Sequence, residues 1–474
     1  MRLPNLAETL PCHSAWSASG GIPNPKFPSP IPEAEIRNPK SEVPNPNAMP
    51  KIGIASIDIT PRFPVWMCGY GSRDHKSEGV YLKLKTSAIS LTGTEDEAII
   101  VTADLIGYGI EYAARAKMVI AEATGLVPRQ IVLTATHTHG GPLFYPMTMP
   151  GETESEYGDW LLERLVTAAA RARKKRINGF ISFSRGRSRF GVCRRLPDGE
   201  GGVRFAPNPN GPIDRDLDTF WFCSSRGRLI GSLTVYGCHP TSLGHYEIGG
   251  DYPGFVCSGL SAQTGAPALW ATGCAGNVRP WFKSKEPGFA RPSMTQVETA
   301  AAGIVKELVR SRKRIVYVPA ERLTVSGKFH PLPYRRLPGK TALTRRIKTE
   351  PDPLKRRWAE TALAQLKTNG ALPQSCPQEI QILALNENFR TVFLAGELLA
   401  EIGLRIKDTL KPATTVMVAY ANGLIGYVPG KETYSLGGYE VDRSHHIFGR
   451  PAPFVRSVED RIVAKVRSMI EDNA

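Results

Sequence analysis

The chain contains a short apolar run that leads directly into a polar one: Ile131-Val132-Leu133-Thr134-Ala135-Thr136 is followed by His137-Thr138-His139-Gly140-Gly141-Pro142. An apolar, β-branched run of this length is typical of a strand that is buried on both faces. The two histidines stand two positions apart, so on an extended backbone they share one face. The sequence therefore predicts a buried strand that delivers imidazoles to a loop at its end, where a rigid scaffold commonly presents functional groups.

Strand-like and helical segments alternate on either side of this run. Further apolar, β-branched stretches predict strands at 98–103, 180–184, 218–224, 229–237, 268–272, 379–385, 391–395 and 414–420. Apolar residues at helical spacing predict helices at 111–124, 159–175, 294–311 and 397–409, and the basic stretch 335–357 predicts a surface loop followed by a helix. We therefore expect an α/β fold, with a mixed β-sheet core flanked by helices in a single large domain.

The first 48 residues differ in composition from the rest of the chain. Residues 1–48 are rich in Pro, Asn and Ser and have no hydrophobic periodicity, so they cannot bury enough apolar surface to offset the entropy lost on ordering. We expect this tail to be disordered and residues 49–474 to form the folded domain. Since folded sequence begins at Lys51, Met49 is a candidate for the true start of translation.

The charge balance restricts the classes of partner. The 474 residues include 60 Lys and Arg against 44 Asp and Glu, a net charge of +16. A basic balance suits an anionic partner, but the basic residues form no nucleic-acid signature, so we expect a solvated basic face without nucleic-acid binding. Peripheral contact with an anionic membrane surface stays open, as does the oligomeric state.

Cysteine spacing and apolar runs both favour a cytoplasmic protein. The eight cysteines show no CxxC spacing, so we expect small buried hydrophobes and not a disulfide framework. No run of 18 or more apolar residues occurs, and the N-terminus lacks a basic start followed by an apolar stretch. We therefore expect neither a transmembrane helix nor secretion.

Two further strand ends carry candidate metal ligands. His239 closes the strand predicted at 229–237, and Glu397 stands where the strand at 391–395 meets the next helix. A catalytic zinc takes about three protein nitrogen or oxygen ligands and keeps one position open; His137, His239 and Glu397 would supply them if the strand ends converge. Taken singly, each residue also fits a structural role, as a hydrogen-bonded histidine or as a negative charge at a helix N-terminus.

The chain shares a set of motifs with one known family. Gly53-Ile54-Ala55-Ser56-Ile57-Asp58-Ile59-Thr60-Pro61 is followed by Gly69-Tyr70, the stretch Thr136 to Pro142 is similar to a Thr-His-Thr-His-Ser-Gly-Pro signature, and His239-Pro240-Thr241-Ser242 is similar to His-x-Thr-Ser. On these residues the chain, from about Ile52 to about Pro453, resembles the neutral ceramidases, zinc amidases that cleave the N-acyl bond of ceramide. The resemblance implies a neutral-ceramidase-like catalytic domain over 49–474, here without the family's carboxyl-terminal immunoglobulin-like domain.

The resemblance implies one Zn²⁺ per chain and assigns its ligands. His137, His239 and Glu397, the last in Ala395-Gly396-Glu397, match three family ligands. A fourth, Tyr427, is matched at the end of Ala421-Asn422-Gly423-Leu424-Ile425-Gly426-Tyr427.

The same match assigns four catalytic residues. His139 acts as acid or base toward the leaving amine, and Tyr439, in Gly438-Tyr439-Glu440, contacts the substrate carbonyl. Arg194 matches an arginine that also faces the substrate, and Asp251, in Gly249-Gly250-Asp251, is expected to orient a histidine ligand.

One motif departs from the family pattern. The family's Gly-Asp-Val-Ser-Pro is here Gly276-Asn277-Val278-Arg279-Pro280. Arg279 replaces the serine, which argues against a serine nucleophile and in favour of a water that zinc activates, since zinc lowers the pKa of water to about 7. Arg279 is also a candidate for binding an anionic or polar group of the substrate.

The sequence therefore predicts a zinc-dependent hydrolase that cleaves an N-acyl amide bond of a ceramide-like lipid. Three alternatives stay open. The substrate is a non-lipid amide or N-acyl sugar, the substrate is an ester, or the protein is a catalytically silent binding protein on the same scaffold.

Overall fold

The computed structural model describes residues 49–284 and 288–472, and the tail predicted at 1–48 lies outside this part of the chain. The strands of the described ranges are β1 (Lys51–Asp58), β2 (Gly79–Val80), β3 (Lys85–Thr92), β4 (Glu97–Ala103), β5 (Ile131–Ala135), β6 (Ile177–Arg187), β7 (Gly191–Pro197), β8 (Val203–Asn208), β9 (Asp216–Ser224), β10 (Leu229–Tyr236), β11 (Glu247–Ile248), β12 (Ala268–Thr272), β13 (Val278–Pro280), β14 (Val316–Val318), β15 (Thr324–Pro333), β16 (Ser375–Asn386), β17 (Phe389–Leu394), β18 (Glu397–Leu398), β19 (Thr414–Val418) and β20 (Tyr427–Val428). The α-helices are α1 (Ile110–Thr124), α2 (Ser155–Lys174), α3 (Asp251–Thr264), α4 (Met294–Arg312), α5 (Lys340–Thr349), α6 (Pro353–Asn369), α7 (Ala400–Thr409) and α8 (Val458–Glu471).

Two mixed sheets form the core of the domain. The larger sheet has nine strands in the order β12-β10-β9-β6-β1-β3-β4-β5, with β14 also paired to β6. The smaller has the order β15-β16-β17-β19. Most pairs are antiparallel, but β4 with β5, β10 with β12 and β17 with β19 are parallel.

The layers follow from which face of each strand is apolar. Along β5, Ile131 and Leu133 pack with α1 and α2, whereas Val132 points to the opposite core between the two sheets. Helices α3 and α4 cover the same outer face over β9, β10 and β12, and α7 and α8 cover the outer face of the smaller sheet. The result is a helix–sheet–sheet–helix sandwich, because strands buried on both faces need a cover on each side.

The larger sheet curls until its two ends meet. The Thr272 hydroxyl at the end of β12 donates to the Thr136 carbonyl beyond β5 at 2.7 Å, and the Thr102 hydroxyl of β4 donates to the Trp270 carbonyl of β12 at 2.5 Å. The smaller sheet joins them, since the Ala419 amide donates to the Thr272 carbonyl at 3.0 Å. The carboxyl ends of β5, β10 and β17 are therefore brought to one place.

The expected α/β fold class is confirmed, and the described residues contain no second, immunoglobulin-like domain. The helix expected at 397–409 begins only at Ala400, because Glu397 and Leu398 first form β18 against β20. No helix of the described ranges is both long and apolar enough to span a membrane. All seven cysteines of these ranges are free, and six are buried.

Candidate metal and active site

One histidine follows the end of β5 and another follows the end of β10, and a backbone carbonyl from elsewhere in the chain holds each ring. His137 Nδ1 lies 2.5 Å from the Ile106 carbonyl oxygen, and His239 Nδ1 lies 2.7 Å from the Ala275 carbonyl oxygen. A carbonyl can only accept, so each Nδ1 carries the proton and each neutral ring keeps a lone pair on Nε2. Both side chains are buried.

Glu397 completes this arrangement. Its amide donates to the Gly426 carbonyl at 2.9 Å, which fixes the short strand β18 beside β20. Its Oε2 atom lies 3.3 Å from His137 Nε2 and 3.2 Å from His239 Nε2, and the two Nε2 atoms lie 3.1 Å apart. Three atoms with lone pairs therefore converge at a buried position.

This spacing suits a tetrahedral zinc site. At the zinc–ligand distances of about 2.0–2.1 Å, tetrahedral ligand atoms stand about 3.3 Å from one another. Glu397 Oε2 forms no hydrogen bond with any described residue despite its burial, which is costly for a carboxylate that faces two lone pairs. The donor set, the spacing and the orphaned oxygen all fit a divalent metal ion.

His139 stands beside the cluster, but its hydrogen bonding differs from that of His137 and His239. Its two ring nitrogens are buried and have no hydrogen-bond partner among the described residues. The ring nitrogens of His137, His139 and His239 lie within 4.8 Å of one another, so these three also form a candidate metal-binding group. The set that includes Glu397 is tighter, with its three ligand atoms 3.1–3.3 Å apart, and His139 is not part of it.

The electrostatic setting follows from burial and from the neighbouring rings. Burial lowers the pKa of His239 to about 4. Burial, and then the adjacent His137 and His239, hold the pKa of His139 well below its usual range. Burial raises the pKa of Glu397, whereas His137 and His239 in their protonated forms would lower it well below its usual range.

Tyr427 and Arg194 form the next layer of the site. The Tyr427 hydroxyl lies 3.4 Å from His239 Nε2 and accepts a hydrogen bond from Arg194 Nη2 at 3.1 Å. Arg194 Nε in turn donates to Glu440 Oε1 at 2.9 Å. The ring of Tyr439 packs edge-on against that of Tyr427, with centroids 5.4 Å apart. These residues therefore lie together on one side of the cluster.

Asp251 does not orient a histidine, and that expectation is wrong. Its carboxylate oxygens accept from the amides of Leu243 at 2.9 Å and Tyr252 at 2.6 Å. Backbone carbonyls already hold Nδ1 of both His137 and His239. Asp251 instead fixes the loop that follows His239.

Two residues of the unusual motif at 276–280 have different surroundings, since Asn277 is hydrogen-bonded within the fold and Arg279 lines a cavity. Asn277 is buried; its Oδ1 accepts from the first amide of α7, that of Ala400, and its Nδ2 donates to Glu401, each at 2.9 Å. Arg279 instead lines a cavity next to the cluster. The asparagine therefore anchors α7, and the arginine is left on the wall of the cavity.

Left-handed backbone conformations concentrate around this site. The non-glycine residues with positive φ in the described ranges are His137, Asp251, Tyr420 and Asn422. The Tyr420 ring stacks on that of His137 with centroids 4.0 Å apart, and Asn422 Oδ1 accepts from the amide of Leu133 in β5. Such strained positions persist where the surroundings fix them, and they are frequent at functional sites.

Sequence reasoning missed three residues of the site. Tyr70, whose ring lies 4.9 Å from that of His139, stood in a quoted motif but received no role. Tyr420 and Glu440 were also missed. Glu440 directly follows Tyr439, and a carboxylate next to a proposed catalytic tyrosine could have been matched to the buried Arg194.

The fold is similar to that of two solved ceramidase structures. Neutral ceramidase from Pseudomonas aeruginosa matches with a TM-score of 0.68 over 89% of this chain and 73% of that one, at 18% identity. A ceramidase complexed with C2 matches with a TM-score of 0.65 over 89% of this chain and 76% of that one, also at 18% identity. No family model matches the chain, and no curated protein matches it in sequence. The likeness is one of fold.

Proposed function

We propose that this protein is a zinc-dependent amidohydrolase that cleaves an N-acyl amide bond of the kind found in ceramide. The observation that carries the proposal is the convergence of two Nε2 lone pairs and one carboxylate oxygen within 3.1–3.3 Å in a buried site. The ceramidase-like fold supports the choice of an amide as substrate.

The residues that would hold zinc are His137, His239 and Glu397, with Tyr427 beside them. When bound, zinc supplies a Lewis acid that polarises a carbonyl and lowers the pKa of water to about 7. The Nδ1 hydrogen bonds to carbonyls fix both rings in the tautomer that ligation needs.

The remaining residues act on protons and on the developing oxyanion. Both ring nitrogens of His139 lack a hydrogen-bond partner among the described residues, so this ring can take up a proton and deliver it to the leaving amine. Burial raises the pKa of Tyr439, which therefore stays a hydrogen-bond donor for the carbonyl oxygen. Arg194 holds the Tyr427 hydroxyl, and its Nη1 forms no hydrogen bond with a described residue, so it can also donate to substrate.

Metal analysis combined with an amide panel tests the proposal. Purified protein is expected to contain about one zinc per chain and to hydrolyse long-chain N-acyl amines. His137→Ala and His239→Ala should lose both properties, whereas His139→Ala should keep zinc and lose about 10²- to 10⁴-fold in kcat. His330→Ala, on β15 of the smaller sheet, serves as control and should lose neither. Full zinc content in His137→Ala and His239→Ala would refute the ligand assignment, and the absence of turnover on all amides would refute the reaction.

A further inference from the structure

A cavity opens beside the candidate metal site on the His139 side. It has a volume of about 680 Å³. One wall is Tyr70, whose ring lies 4.9 Å from that of His139. Another is Phe205, whose ring lies 5.8 Å from the Arg194 guanidinium and 5.4 Å from that of Arg279. The cavity therefore adjoins both the proposed acid/base residue and the arginine near Tyr427.

Arg279 projects into this cavity without an acidic partner. Its Nη2 donates to the Thr241 carbonyl at 3.0 Å, while its Nε is buried and forms no hydrogen bond with a described residue. The Phe289 ring lies 4.4 Å from its guanidinium. No described carboxylate lies within ion-pair distance of it, whereas Arg194 is paired with Glu440. Removing an unpaired cation from water is costly, so a guanidinium in this setting favours an anion.

The rest of the cavity has the same electrostatic character. Arg291 also lines it, and no Asp or Glu does among the described lining residues. Thr241 is 7% exposed. In the part of the chain that the structure describes, neither its hydroxyl nor His245 Nε2 has a hydrogen-bond partner. These groups offer hydrogen bonds and positive charge to one small oxyanion, and an arginine fork matches a carboxylate or a phosphate in shape.

The direction of the cavity indicates which part of the substrate enters it. His139 is the group proposed to protonate the leaving amine, and it lies on the Tyr70 side. Tyr439, which is proposed to donate to the carbonyl oxygen, packs instead against Tyr427 and beside Arg194. The amine part of the substrate therefore extends toward Arg279.

From this geometry we infer that Arg279 binds an oxyanion carried by the amine part of the substrate. The preferred substrate is then an acidic N-acyl amine, an N-acyl amino acid or an N-acyl aminoalkyl phosphate, and a neutral N-acyl amino alcohol is a poor one. The inference rests on the proposed amidohydrolase activity and names its substrate class.

Matched substrates with one acyl chain test the inference. The compounds are an N-acylglycine, an N-acyl aminoethyl phosphate and an N-acylethanolamine, which differ only in the group that would meet Arg279. Wild-type protein should prefer one of the two acids over the neutral compound by about 10- to 100-fold in kcat/KM, the range expected for a charge-assisted hydrogen bond. The acid that is preferred identifies the oxyanion as carboxylate or phosphate.

Arg279→Gln should lose that preference, with kcat/KM falling about 10- to 100-fold more on the preferred acid than on the neutral compound, because glutamine removes the charge and keeps most of the volume. Arg322→Gln serves as a control of equal charge change. The Arg322 side chain is 80% exposed and pairs with Glu95, which is itself 39% exposed. This variant should leave the preference intact. Equal losses on acid and neutral compounds in Arg279→Gln, or a wild-type preference for the neutral compound, would overturn the inference.

Calorimetric binding separates failure of the inference from failure of the proposed reaction. If wild-type protein hydrolyses neither these three compounds nor any other amide of the panel, the amidohydrolase proposal fails, but binding of the acids still tests Arg279. Tighter binding of an acid than of the neutral compound, abolished in Arg279→Gln, supports the oxyanion site. A carboxylate can also bind zinc directly, without Arg279. Acid binding that persists in Arg279→Gln would therefore overturn the inference.

Discussion

Two buried polar clusters of this protein differ in where the compensating charge comes from. In the first, Lys407 of α7 reaches Asp214, Asp216 and Asp218 at 2.7, 3.1 and 3.3 Å. Burial by itself would lower the pKa of Lys407, but the three carboxylates raise it. In the second, His137, His239 and Glu397 converge, and no side-chain cation lies among the three ligand atoms.

The difference separates a structural cluster from a binding site. The chain itself supplies the cation for Asp214, Asp216 and Asp218, so that cluster is complete as folded. The two Nε2 lone pairs and Glu397 Oε2 surround a common centre that would suit a cation from outside the chain, and Glu397 Oε2 forms no hydrogen bond with the described residues. A buried group of acceptors without its own cation is therefore a better indication of a metal site than the number of acidic residues.

The largest expected effect is the loss of stabilisation by zinc in His239→Ala. A metal that binds only the folded state at about 10,000 times its Kd stabilises by about 5 kcal/mol. Adding zinc to metal-free wild-type protein should therefore raise Tm by many degrees, and a chelator should reverse this. In His239→Ala, zinc should leave Tm unchanged.

Scanning calorimetry with and without zinc measures this shift. Lys407→Met is the informative companion, since it should unfold at a lower temperature and still gain the full zinc-dependent shift. A zinc shift of normal size in His239→Ala would show that this residue is not a ligand.

The next largest effect is expected for Lys407→Met, in the cluster that Lys407 forms with Asp214, Asp216 and Asp218. Removing the cation leaves Asp214 without an ion pair among the described residues and leaves Asp216 and Asp218 with arginine partners alone, which should cost about 3 kcal/mol of unfolding free energy. Zinc content should not change. Lys411→Met is the matched control, because Lys411 is 71% exposed and pairs with a single exposed aspartate, and it should cost less than about 0.5 kcal/mol. Denaturant unfolding measures both, and equal costs would contradict the comparison.

These contrasts also explain what the sequence could and could not predict. The strand ends that bear His137, His239 and Glu397 are local features, so hydrophobic runs and a family motif identified them. The two carbonyls that set the histidine tautomers, those of Ile106 and Ala275, carry no side-chain signal. These carbonyls reach the two histidine rings only in the folded domain, where the larger sheet curls and its ends meet.

The layering of the fold was likewise only partly predictable. Apolar runs such as 98–103 indicated buried strands, and the α/β class is confirmed. The division into two stacked sheets depends on which alternate side chains face which core, as at Ile131 and Val132, and local periodicity does not specify this. Asp251 was assigned by motif alone, and the structure shows its carboxylate bonded to amides.

A smaller effect, confined to catalysis, is expected for Tyr439→Phe. Its hydroxyl forms no hydrogen bond with a described residue, and its ring packs against Tyr427. Phenylalanine keeps the packing, so Tm and zinc content should hold while kcat falls about 100-fold through loss of one donor to the oxyanion. Tyr434→Phe is the converse control: its hydroxyl donates to the Phe454 and Val455 carbonyls, so its loss should lower stability and spare kcat. Steady-state kinetics decide, and an unchanged kcat in Tyr439→Phe would remove it from the mechanism.

The smallest effect is expected for Asp251→Asn, and it tests the corrected role of this residue. Asp251 has a φ of 53°, which asparagine tolerates, so the backbone should not change. The amide replaces one accepting oxygen with a donor that faces a backbone amide, which should cost about 1–2 kcal/mol. Asp198→Asn is the matched control, because one Asp198 oxygen also accepts from two backbone amides, at 2.9 and 2.8 Å, but in an exposed turn. If Asp251 oriented a histidine ligand instead, its substitution would weaken zinc binding by about 10- to 100-fold. A normal zinc affinity together with lowered stability is the expected result, since the carbonyls of Ile106 and Ala275 already hold the two rings.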